Sequence, residues 1–476
     1  MASAPQPLSA APASFEGRPS RVRYQVLAFA CVLAVLTYLN RLGFVVAAPE
    51  IKKDLALTDE QMGYLAAAFL IAYGLCQVPG GLVGDRIGGR NLLTILVLVW
   101  SLLSGAVALG VIFPAGAALA FVFLVILRFL FGMFQAAEFP TLARVLADWM
   151  PISERARAQG LVWMFSRLGG AIIPFLFAGM LWYFGTWTTP FWVMAALGAL
   201  WCAAFWPWFR NRPEEMPGVN RGEAELIGAG RPPAPARLSV PWSAVFRSPN
   251  VWSLCLVYAL VGFSGNFFTN MLPLYLRDHR ELSKSETAWL SALPLACGIG
   301  ACFLGGLLSD WIVQRFGSRK WGRRLNGAIG LVVAAAATLA IPLVDEVWLL
   351  GLCVSVAFFC NDLNMAPAWA AAADIGERYA GTISGLMNMM GGGFAGALGA
   401  AFAGYLFRRH LDQWVFVVFA VSYALAACSW LLVDVTKPLV AQPETPSAPP
   451  NVAAAAELVT DIHVPVRGFG AAEKRL

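Results

Sequence analysis

Hydrophobic residues in this chain recur in long runs that short polar stretches separate. A helix needs roughly 20 apolar residues to cross a bilayer core of about 30 Å, and runs of that length repeat along the chain. The pattern therefore predicts an all-α integral membrane protein with twelve spans. Their approximate bounds are 24–49, 61–84, 91–113, 117–146, 157–184, 189–209, 250–276, 285–312, 325–345, 347–373, 380–407 and 413–434.

Three polar segments frame two sets of six spans. Residues 1–23 lack the apolar region of a cleaved signal peptide, residues 210–248 are rich in Arg, Pro and Gly, and residues 435–476 resemble the first segment in composition. We expect all three segments to be disordered and cytoplasmic. Residues 24–209 and 249–434 are each expected to form a six-helix bundle.

Composition and charge agree with a membrane protein. The chain of 476 residues is 59% hydrophobic and 13% charged, against about 25% charged in soluble domains. With both termini in the cytoplasm, 24 of the 34 Lys and Arg fall in cytoplasmic segments, 7 in outer loops and 3 within spans. The positive-inside rule therefore predicts this orientation in the cell (inner) membrane. The basic residues are dispersed over many loops, so a nucleic-acid partner is not expected.

The sequence also lacks signs of an enzyme. It contains no HExxH motif, no GxxxxGK[ST] loop and no CxxC pair, and its three His lie outside the predicted spans. All nine Cys fall within predicted spans, where they are most simply small apolar packing residues. We expect no cofactor and no metal, and a chain that acts as a monomer.

The two halves repeat each other at an offset of 225 residues. This offset superposes GGLVGD (80–85) on GGLLSD (305–310), Gly160-Leu161 on Gly385-Leu386, and Gly179 on Gly404. Because each half has an even number of spans, both insert with the same orientation. The predicted fold is two pseudo-symmetric bundles with a site between them near the midplane.

Several motifs resemble a known family. GLVGDRIGGR (81–90) matches the Gly-x3-Asp-Arg-x-Gly-x-Arg loop signature of the major facilitator superfamily, and GLLSDWIVQRFGSRK is a weaker second copy. YLNRLGFVVAAPEI, RFLFGMFQAAEFP, ADWMPISERARAQGL and SRLGGAIIP resemble the anion:cation symporter family. The resemblance covers residues 24–434 and implies transport of sugar acids or other small carboxylates.

The loop signature carries charges suited to gating. Asp85 can cap the positive N-terminus of a neighbouring helix, and Asp310 occupies the corresponding place in the second copy. We expect Arg86 and Arg90 to bridge to acidic groups such as Asp148 or Glu154. The alternative is that these charges only set the topology of the chain.

Five charged groups lie deep within the predicted spans, away from the span ends: Arg41, Arg128, Glu138, Arg167 and Asp362. Each would cost roughly 2.5–3.5 kcal/mol at a helix centre, so they should line a wet cavity or form pairs. Three arginines exceed two carboxylates, which leaves one positive charge even when both acids are ionised. The excess favours an anionic substrate.

The arginines have different expected roles. Arg41 lies well inside span 1, and the family resemblance implies that it binds the substrate. The resemblance ties Arg128 to proton coupling or substrate binding, although a structural pairing is equally open. Arg167 is either a second carboxylate ligand or the partner that neutralises Glu138.

The sequence departs from the family at its proton-carrying acids. Asn40 and Gln135 stand where the proton-coupled bacterial members carry Asp and Glu, and an amide cannot titrate but can bind the substrate. Glu138, three residues beyond Gln135, is our preferred proton carrier. Asp362, its near-counterpart under the repeat, is the second candidate. Alternatively, the two acids form static ion pairs with Arg128 or Arg167.

Uncharged polar residues of the second half can complete the site. Asn266 and Asn388 are the preferred ligands, because they fall in the central parts of spans 7 and 11. The sequence thus predicts a secondary active transporter that imports a small organic carboxylate, such as a hexuronate, aldonate or aldarate, by proton symport through alternating access. The alternative is a facilitative or differently coupled carrier, or an exporter, of another organic anion.

Overall fold

Helices account for the regular secondary structure in the part of the chain that the structure describes. The computed structural model describes residues 18–229 and 240–440. The first nine α-helices are α1 (Val22–Asp54), α2 (Asp59–Ile87), α3 (Gly89–Val107), α4 (Ala118–Ala136), α5 (Glu138–Trp149), α6 (Arg155–Phe184), α7 (Thr188–Trp208), α8 (Arg221–Gly228) and α9 (Trp242–Arg247). The next nine are α10 (Pro249–Asn270), α11 (Leu272–Asp278), α12 (Lys284–Phe316), α13 (Arg319–Ala340), α14 (Val347–Leu363), α15 (Met365–Gly376), α16 (Ala380–Asn388), α17 (Gly396–Phe407) and α18 (Asp412–Trp430).

Among the described residues, eleven helical stretches are long and apolar enough to cross a membrane. One of them, Val347–Phe407, has 61 residues, which at 1.5 Å per residue would be about 90 Å long. It turns at Glu377, whose φ of 47° interrupts the helix, and so it supplies two crossings. The prediction of twelve spans is confirmed.

Helix starts repeat at the offset seen in the sequence. Thr58 and Ser283 each accept a hydrogen bond from the third backbone N–H of the following helix. In both cases the residue at that third position, Gln61 or Glu286, bonds back to the N-cap backbone. Such reciprocal caps fix where α2 and α12 begin.

Helix packing repeats in the same way. In the first half, α2 packs on α4, α3 on α7 and α1 on α6. In the second half, α12 packs on α14, α13 on α18, and α10 on the span formed by α16 and α17. The two halves meet where α6 packs on α12 and where α2 packs on α16, a pair of contacts that the repeat also relates. This arrangement is the predicted pair of pseudo-symmetric bundles.

Two spans are interrupted where their acidic residues lie. Span 4 breaks at Ala137, between α4 and α5, so Glu138 is the first residue of α5. Span 10 breaks at Asn364, between α14 and α15, two residues after Asp362. Span 11 contains a π-helical segment, Met389–Ala395, of a kind often found at functional sites.

The expectation of disorder is wrong for the described parts of the three polar segments. Glu223 of α8 is fully buried and accepts hydrogen bonds from the backbone N–H groups of Val22 and Arg23, both at 3.1 Å. Its carboxylate also pairs with the Arg23 guanidinium at 3.0 Å. The central segment therefore caps the N-terminus of α1. At the other end, the Leu439 N–H donates to the Ile375 carbonyl.

All eighteen helices belong to one compact unit, Met1–Leu439. Val440 belongs to a second unit, whose other residues lie outside the described part of the chain, as do residues 1–17 and 230–239. The division of the helices into two domains, 24–209 and 249–434, stays a prediction.

Replacing Glu223 with Ala should destabilise the first half. The change leaves two helix N–H groups without their acceptor and removes one of the two carboxylates that pair with the buried Arg23 guanidinium. The expected loss is about 2–3 kcal/mol. We expect the midpoint of thermal unfolding in detergent to fall clearly. Glu225→Ala is the matched control, since Glu225 lies in the same helix, has 44% of its side chain exposed and pairs with Arg221 at the surface. Equal midpoints for the two variants would contradict this role of Glu223.

Candidate functional site

A cavity of about 400 Å³ lies between the two halves. Helices α1, α2 and α6 supply one wall, and α10, α12 and spans 10 and 11 supply the other. The lining residues include Tyr38, Arg41, Tyr73, Trp163, Arg167, Tyr258, Asn266, Asn270, Asn361, Asn388 and Gly391. The cavity thus runs from the middle of α10, at Tyr258, to the last residue of that helix, Asn270.

Arg41 brings a positive charge to this cavity. Its guanidinium carbon lies 4.5 Å from the centre of the Tyr73 ring and 5.2 Å from that of Tyr38. Its Nε donates to the side-chain oxygen of Gln135 at 2.8 Å. No carboxylate forms an ion pair with Arg41 in the described part of the chain, and its buried Nη2 has no partner there. The cavity therefore holds a cation without a counter-ion.

The two amides that replace the family acids have different positions. Gln135 is fully buried, accepts from Arg41 and donates to the Thr37 carbonyl at 3.3 Å. It orients the guanidinium without neutralising it. Asn40 is also buried, but its Nδ2 donates to the Leu36 carbonyl of its own helix at 2.9 Å, and Asn40 does not line the cavity.

Glu138 lies behind the cavity wall. It is fully buried, and one carboxyl oxygen accepts a hydrogen bond from the Thr37 hydroxyl. The other oxygen, Oε2, has no partner among the described residues, and the same is true of the Asn40 side-chain oxygen. The static ion pair with Arg128 or Arg167 that we left open for Glu138 does not form.

Arg128 does not line the cavity in this structure. It is buried, and its guanidinium carbon lies 4.2 Å from the centre of the Phe44 ring and 4.7 Å from that of Phe69. Its Nε has no hydrogen-bond partner in the described chain. Cation–π contacts with the two rings partly replace the missing counter-ion.

Arg167 and Asp362 form an ion pair between the two halves. The Arg167 Nε lies 2.7 Å from Asp362 Oδ2, and Nη2 lies 2.9 Å from Oδ1. Asp362 is fully buried, whereas Arg167 reaches the cavity surface. The sequence left open whether Asp362 forms an ion pair with Arg128 or Arg167, and in the structure it pairs with Arg167.

The opposite wall of the cavity is rich in amides. The Asn266 Nδ2 donates to the Gly396 carbonyl at 2.6 Å, and Asn270 donates to the Asn266 side chain. The Asn388 Nδ2 donates to the Gln77 side-chain oxygen at 2.5 Å, which ties span 11 to span 2. Asn266 and Asn388 both lie in the cavity wall, as expected of substrate ligands.

One end of the bundle, which we call the carboxylate face, is closed by Asp85 and Asp310. Asp85 accepts from the N–H groups of Gly381 and Thr382 at 2.9 and 2.7 Å, at the N-terminus of α16. Asp310 accepts from the Arg157 N–H at 2.7 Å, at the N-terminus of α6. The offset of 225 relates both the carboxylates and their partners, so each half caps a helix of the other.

Close backbone contacts accompany these caps. A side chain on Gly81 would meet the Gly381 carbonyl, and one on Gly306 would meet the Ala156 carbonyl. These contacts are again related by the repeat. Arg155 adds an ion pair between the halves, 2.8 Å from Asp374. The carboxylate face is therefore tightly sealed.

The expected bridges from Arg86 and Arg90 are wrong. Arg86 is exposed at the end of α2, and the Arg90 Nε donates to the Trp206 carbonyl at 2.9 Å. The two proposed acceptors are engaged elsewhere, because Asp148 pairs with Arg144 at 2.7 Å and Glu154 with Arg23 at 3.2 Å.

The sequence did not identify several residues of the site. Tyr38 and Tyr73 face Arg41, and Gln77 joins the halves through Asn388. The spacing of three residues between Tyr38 and Arg41 places both on one face of α1, which is a signal that the sequence did contain. Trp163 lines the cavity and its ring lies 5.3 Å from that of Trp369 in the other half, a contact that exists only because the halves pack together.

The chain has twelve spans in two related sets of six, a charged cavity between the sets and one sealed face. This combination defines the protein as a polytopic membrane transporter. Residues 30–400 match the family model of the Major Facilitator Superfamily. The chain belongs to the Major Facilitator Superfamily, whose members transport solutes and are not enzymes.

Two bacterial relatives support the anion:cation symporter resemblance. The probable sulfoacetate transporter SauU of Cupriavidus necator is 33% identical over 395 residues, covering 82% of this chain and 88% of the relative. The probable galactarate/D-glucarate transporter GudP of Escherichia coli is 28% identical over 397 residues, covering 81% of this chain and 87% of the relative.

The fold also matches solved structures. The Major Facilitator Superfamily transporter FucP, crystallised in the outward conformation, superposes with a TM-score of 0.66 at 12% identity, over 87% of this chain and all of FucP. At this identity the likeness concerns the fold alone.

Replacing Asp85 and Asp310 together with Ala should loosen the carboxylate face. Each change leaves helix N–H groups without an acceptor, and the Asp310 change also removes one of the two carboxylates that pair with the buried Arg323. A loss of about 1.5 kcal/mol per site in the contact between the halves predicts that the face opens about a hundredfold more often. Cys302 reports opening, because it is fully buried and its carbonyl packs against Gly160 across the boundary between the halves.

Alkylation of Cys302 by a water-soluble maleimide, followed by mass spectrometry, measures the effect. Asp59→Ala is the control, since Asp59 lies at the other end of α2 and is exposed. An unchanged alkylation rate in the double variant would show that the two carboxylates do not hold the face closed.

Proposed function

We propose that this chain is a secondary active transporter that imports a small organic carboxylate by proton symport. The observation that supports it most directly is Arg41, a guanidinium in the cavity wall with no carboxylate partner in the described chain. A cation held in place by Gln135 and two tyrosine rings is ready to bind an anion in bidentate fashion. A substrate carboxylate would supply the missing counter-ion.

The proposed substrate class is a sugar acid or a related small anion. Asn266, Asn270 and Asn388 offer amide groups to substrate hydroxyls on the wall opposite Arg41. The relatives named for sulfoacetate and for galactarate or glucarate carry substrates with acidic groups on short chains. A cavity of about 400 Å³ accommodates molecules of that size.

The proposed orientation places the carboxylate face in the cytoplasm. The loops at that face and the N-terminal residues carry most of the Lys and Arg, as the positive-inside rule requires. The cavity, which extends to the opposite end of α10, would then open to the outside of the cell membrane. Rocking of the two bundles, each acting as one domain of a monomer, would expose it to the cytoplasm.

The proposed proton carrier is Glu138. The Thr37 hydroxyl donates to one of its oxygens, while the other oxygen and the Asn40 side-chain oxygen both lack a donor in the described chain. Protonation of Glu138 would give this buried group an O–H donor, whereas the ionised form makes no ion pair with a cation of the described chain. Movement of α1 relative to α5 would change these surroundings and hence the affinity for the proton.

A carrier that does not couple to protons is the second candidate. The replacement of both family acids by Asn40 and Gln135 favours it. Proton uptake by proteoliposomes during substrate influx distinguishes the two candidates, since a silent internal pH dye during robust transport would eliminate symport.

Replacing Arg41 with Ala should remove the anchor for the substrate. Loss of a bidentate charge-assisted contact of about 2–3 kcal/mol predicts binding at least thirtyfold weaker. The measurement is the ligand-induced rise in unfolding temperature of purified protein, screened with aldonates, hexuronates, aldarates and aromatic acids. Lys53→Ala is the control, because Lys53 lies in the same helix and is exposed. If the best ligand stabilises the Arg41 variant as much as the unchanged protein, the anchoring role is wrong.

Replacing Glu138 with Gln should abolish accumulation but preserve exchange. Gln mimics the protonated carboxyl and cannot release a proton, so the empty carrier cannot complete an uphill cycle. We expect no concentrative uptake driven by a pH gradient, together with measurable exchange of labelled substrate across proteoliposomes.

The control for this variant is Glu60→Gln, which changes an exposed carboxylate at the start of α2. Normal accumulation by the Glu138 variant would transfer the proton-carrying role to Asp362 or remove protons from the mechanism.

A further inference from the structure

The ion pair between Arg167 and Asp362 has an unusual location for a structural pair. It joins α6 of the first half to α14 of the second, and the Arg167 side chain is at the same time part of the cavity wall. A substrate that enters the cavity therefore meets a guanidinium that is already engaged. Any anion bound there competes with Asp362.

The geometry leaves one nitrogen of Arg167 available. Asp362 occupies Nε and Nη2, at 2.7 and 2.9 Å. Because the five N–H groups of a guanidinium lie in one plane, Nη1 points away from Asp362. An anionic group in the cavity can thus approach Arg167 at Nη1 before the ion pair opens.

Arg41 and Arg167 flank the same tyrosine. Arg41 lies over the Tyr38 ring at 5.2 Å, and Gly169 and Gly170, next to Arg167 on α6, pack against the Tyr38 side chain. Both guanidinium groups therefore lie beside one tyrosine in the wall of the same cavity, where a small molecule with two acidic groups could contact each of them.

In the described part of the chain, Asp362 has one cationic neighbour, and its other polar neighbours are uncharged. Arg167 faces it from α6, Cys302 lies 3.8 Å away on α12, and Tyr423 of α18 reaches it indirectly through Asn361. The Asn361 Nδ2 donates to Asp362 Oδ1 at 3.1 Å. A protonated Asp362 would keep the hydrogen bond from the Asn361 amide after Arg167 moves away.

The charge of this part of the site depends on Asp362. With the carboxylate ionised, Arg41, Arg167 and Asp362 sum to one positive charge, which a monoanion neutralises. With a proton on Asp362 the sum is two, which suits a dianion. Opening the pair without a replacement would leave a buried guanidinium unpaired, at about 3–5 kcal/mol, but a second substrate anion provides the replacement.

We propose that Asp362 is an exchangeable counter-ion that adapts the site to substrates with two acidic groups. One acidic group binds Arg41, and the second takes the place of Asp362 on Arg167, while Asp362 binds one proton from solution. No covalent bond between heavy atoms changes. The proposal rests on the anchoring role of Arg41 given above and adds a role for Arg167 and Asp362 in selecting substrate charge.

Galactonate and galactarate test this proposal as a matched pair. They share their carbon chain and stereochemistry, and galactarate has a second carboxylate where galactonate has a hydroxymethyl group. Binding to the full-length protein in detergent is measured by calorimetry over a series of pH values and in two buffers of different ionisation enthalpy.

We expect the protein to take up one more proton when it binds galactarate than when it binds galactonate. As the pH rises through the range where Asp362 must take up that proton, the affinity for galactarate should therefore fall by about tenfold per pH unit more than the affinity for galactonate does. A proton bound by Glu138 accompanies both ligands and cancels in the difference. If the unchanged protein takes up the same number of protons with both ligands, the proposal is overturned.

Asp362→Asn provides the second measurement. The neutral amide should abolish the difference in proton uptake and make galactarate binding tighter relative to galactonate, by at least tenfold at alkaline pH. Asp345→Asn, which changes an exposed loop carboxylate, should leave the difference intact. A difference that persists in Asp362→Asn would assign the extra proton to another group and overturn the proposal.

Failure of the proposed function gives a different result. If Arg41 does not anchor carboxylates, both ligands bind Arg41→Ala as they bind the unchanged protein. If only the role of Asp362 is wrong, Arg41→Ala weakens both ligands while their proton uptake is equal in the unchanged protein.

Discussion

A charge inside an apolar helix bundle must find a counter-ion, an aromatic face or water, and this constraint organises the centre of the molecule. Each of three arginines meets it differently. Arg167 pairs with Asp362, Arg128 lies among phenylalanine rings, and Arg41 faces the cavity beside two tyrosines. Of these three, the third leaves an unpaired positive charge in the cavity wall. The position of the site thus follows from which cation both lacks a carboxylate partner in the described chain and lines the cavity.

Symmetry determines the closed face, and departures from symmetry determine the site. Asp85 and Asp310 each cap a helix of the opposite half, and the offset of 225 residues relates both the two carboxylates and the residues that they cap. The halves therefore cannot separate at this face without releasing both caps. The cavity charges do not repeat in this way. The first half carries the arginines and Glu138, while the second contributes Asp362 and a wall of amides, so an anion would be drawn to one side of a symmetric frame.

The sequence was sufficient for features that depend on periodicity, and insufficient for those that depend on contact between distant helices. Twelve apolar runs and a repeat offset predict the span order, and the offset even relates the capping boxes at Thr58 and Ser283. Polar composition, by contrast, predicted disorder for a segment in which Glu223 is fully buried. A single carboxylate that meets the first turn of α1 outweighs the composition of its neighbours.

Side-chain partners show the same limit within the site. The sequence identified the five buried ionisable groups, because charge in an apolar run is visible without a structure. It could not decide that Asp362 pairs with Arg167 while Glu138 binds the Thr37 hydroxyl, since α6 and α14 come together only when the halves pack. Nor could it place three phenyl rings around Arg128, whose neighbours come from three helices.

The amide at position 135 connects these observations. A carboxylate there, 2.8 Å from the Arg41 Nε as the Gln135 oxygen is, would hold the guanidinium equally well but would also neutralise it whenever it was ionised. Substrate binding would then depend on prior protonation of that acid. With Gln135, Arg41 keeps both its orientation and its charge, so in the proposed mechanism an anion can bind Arg41 without prior protonation of the residue that orients it. Any proton coupling must therefore act through a group that does not contact the anchor, and Glu138 and Asp362 are the buried acids near this cavity that the described chain offers for it.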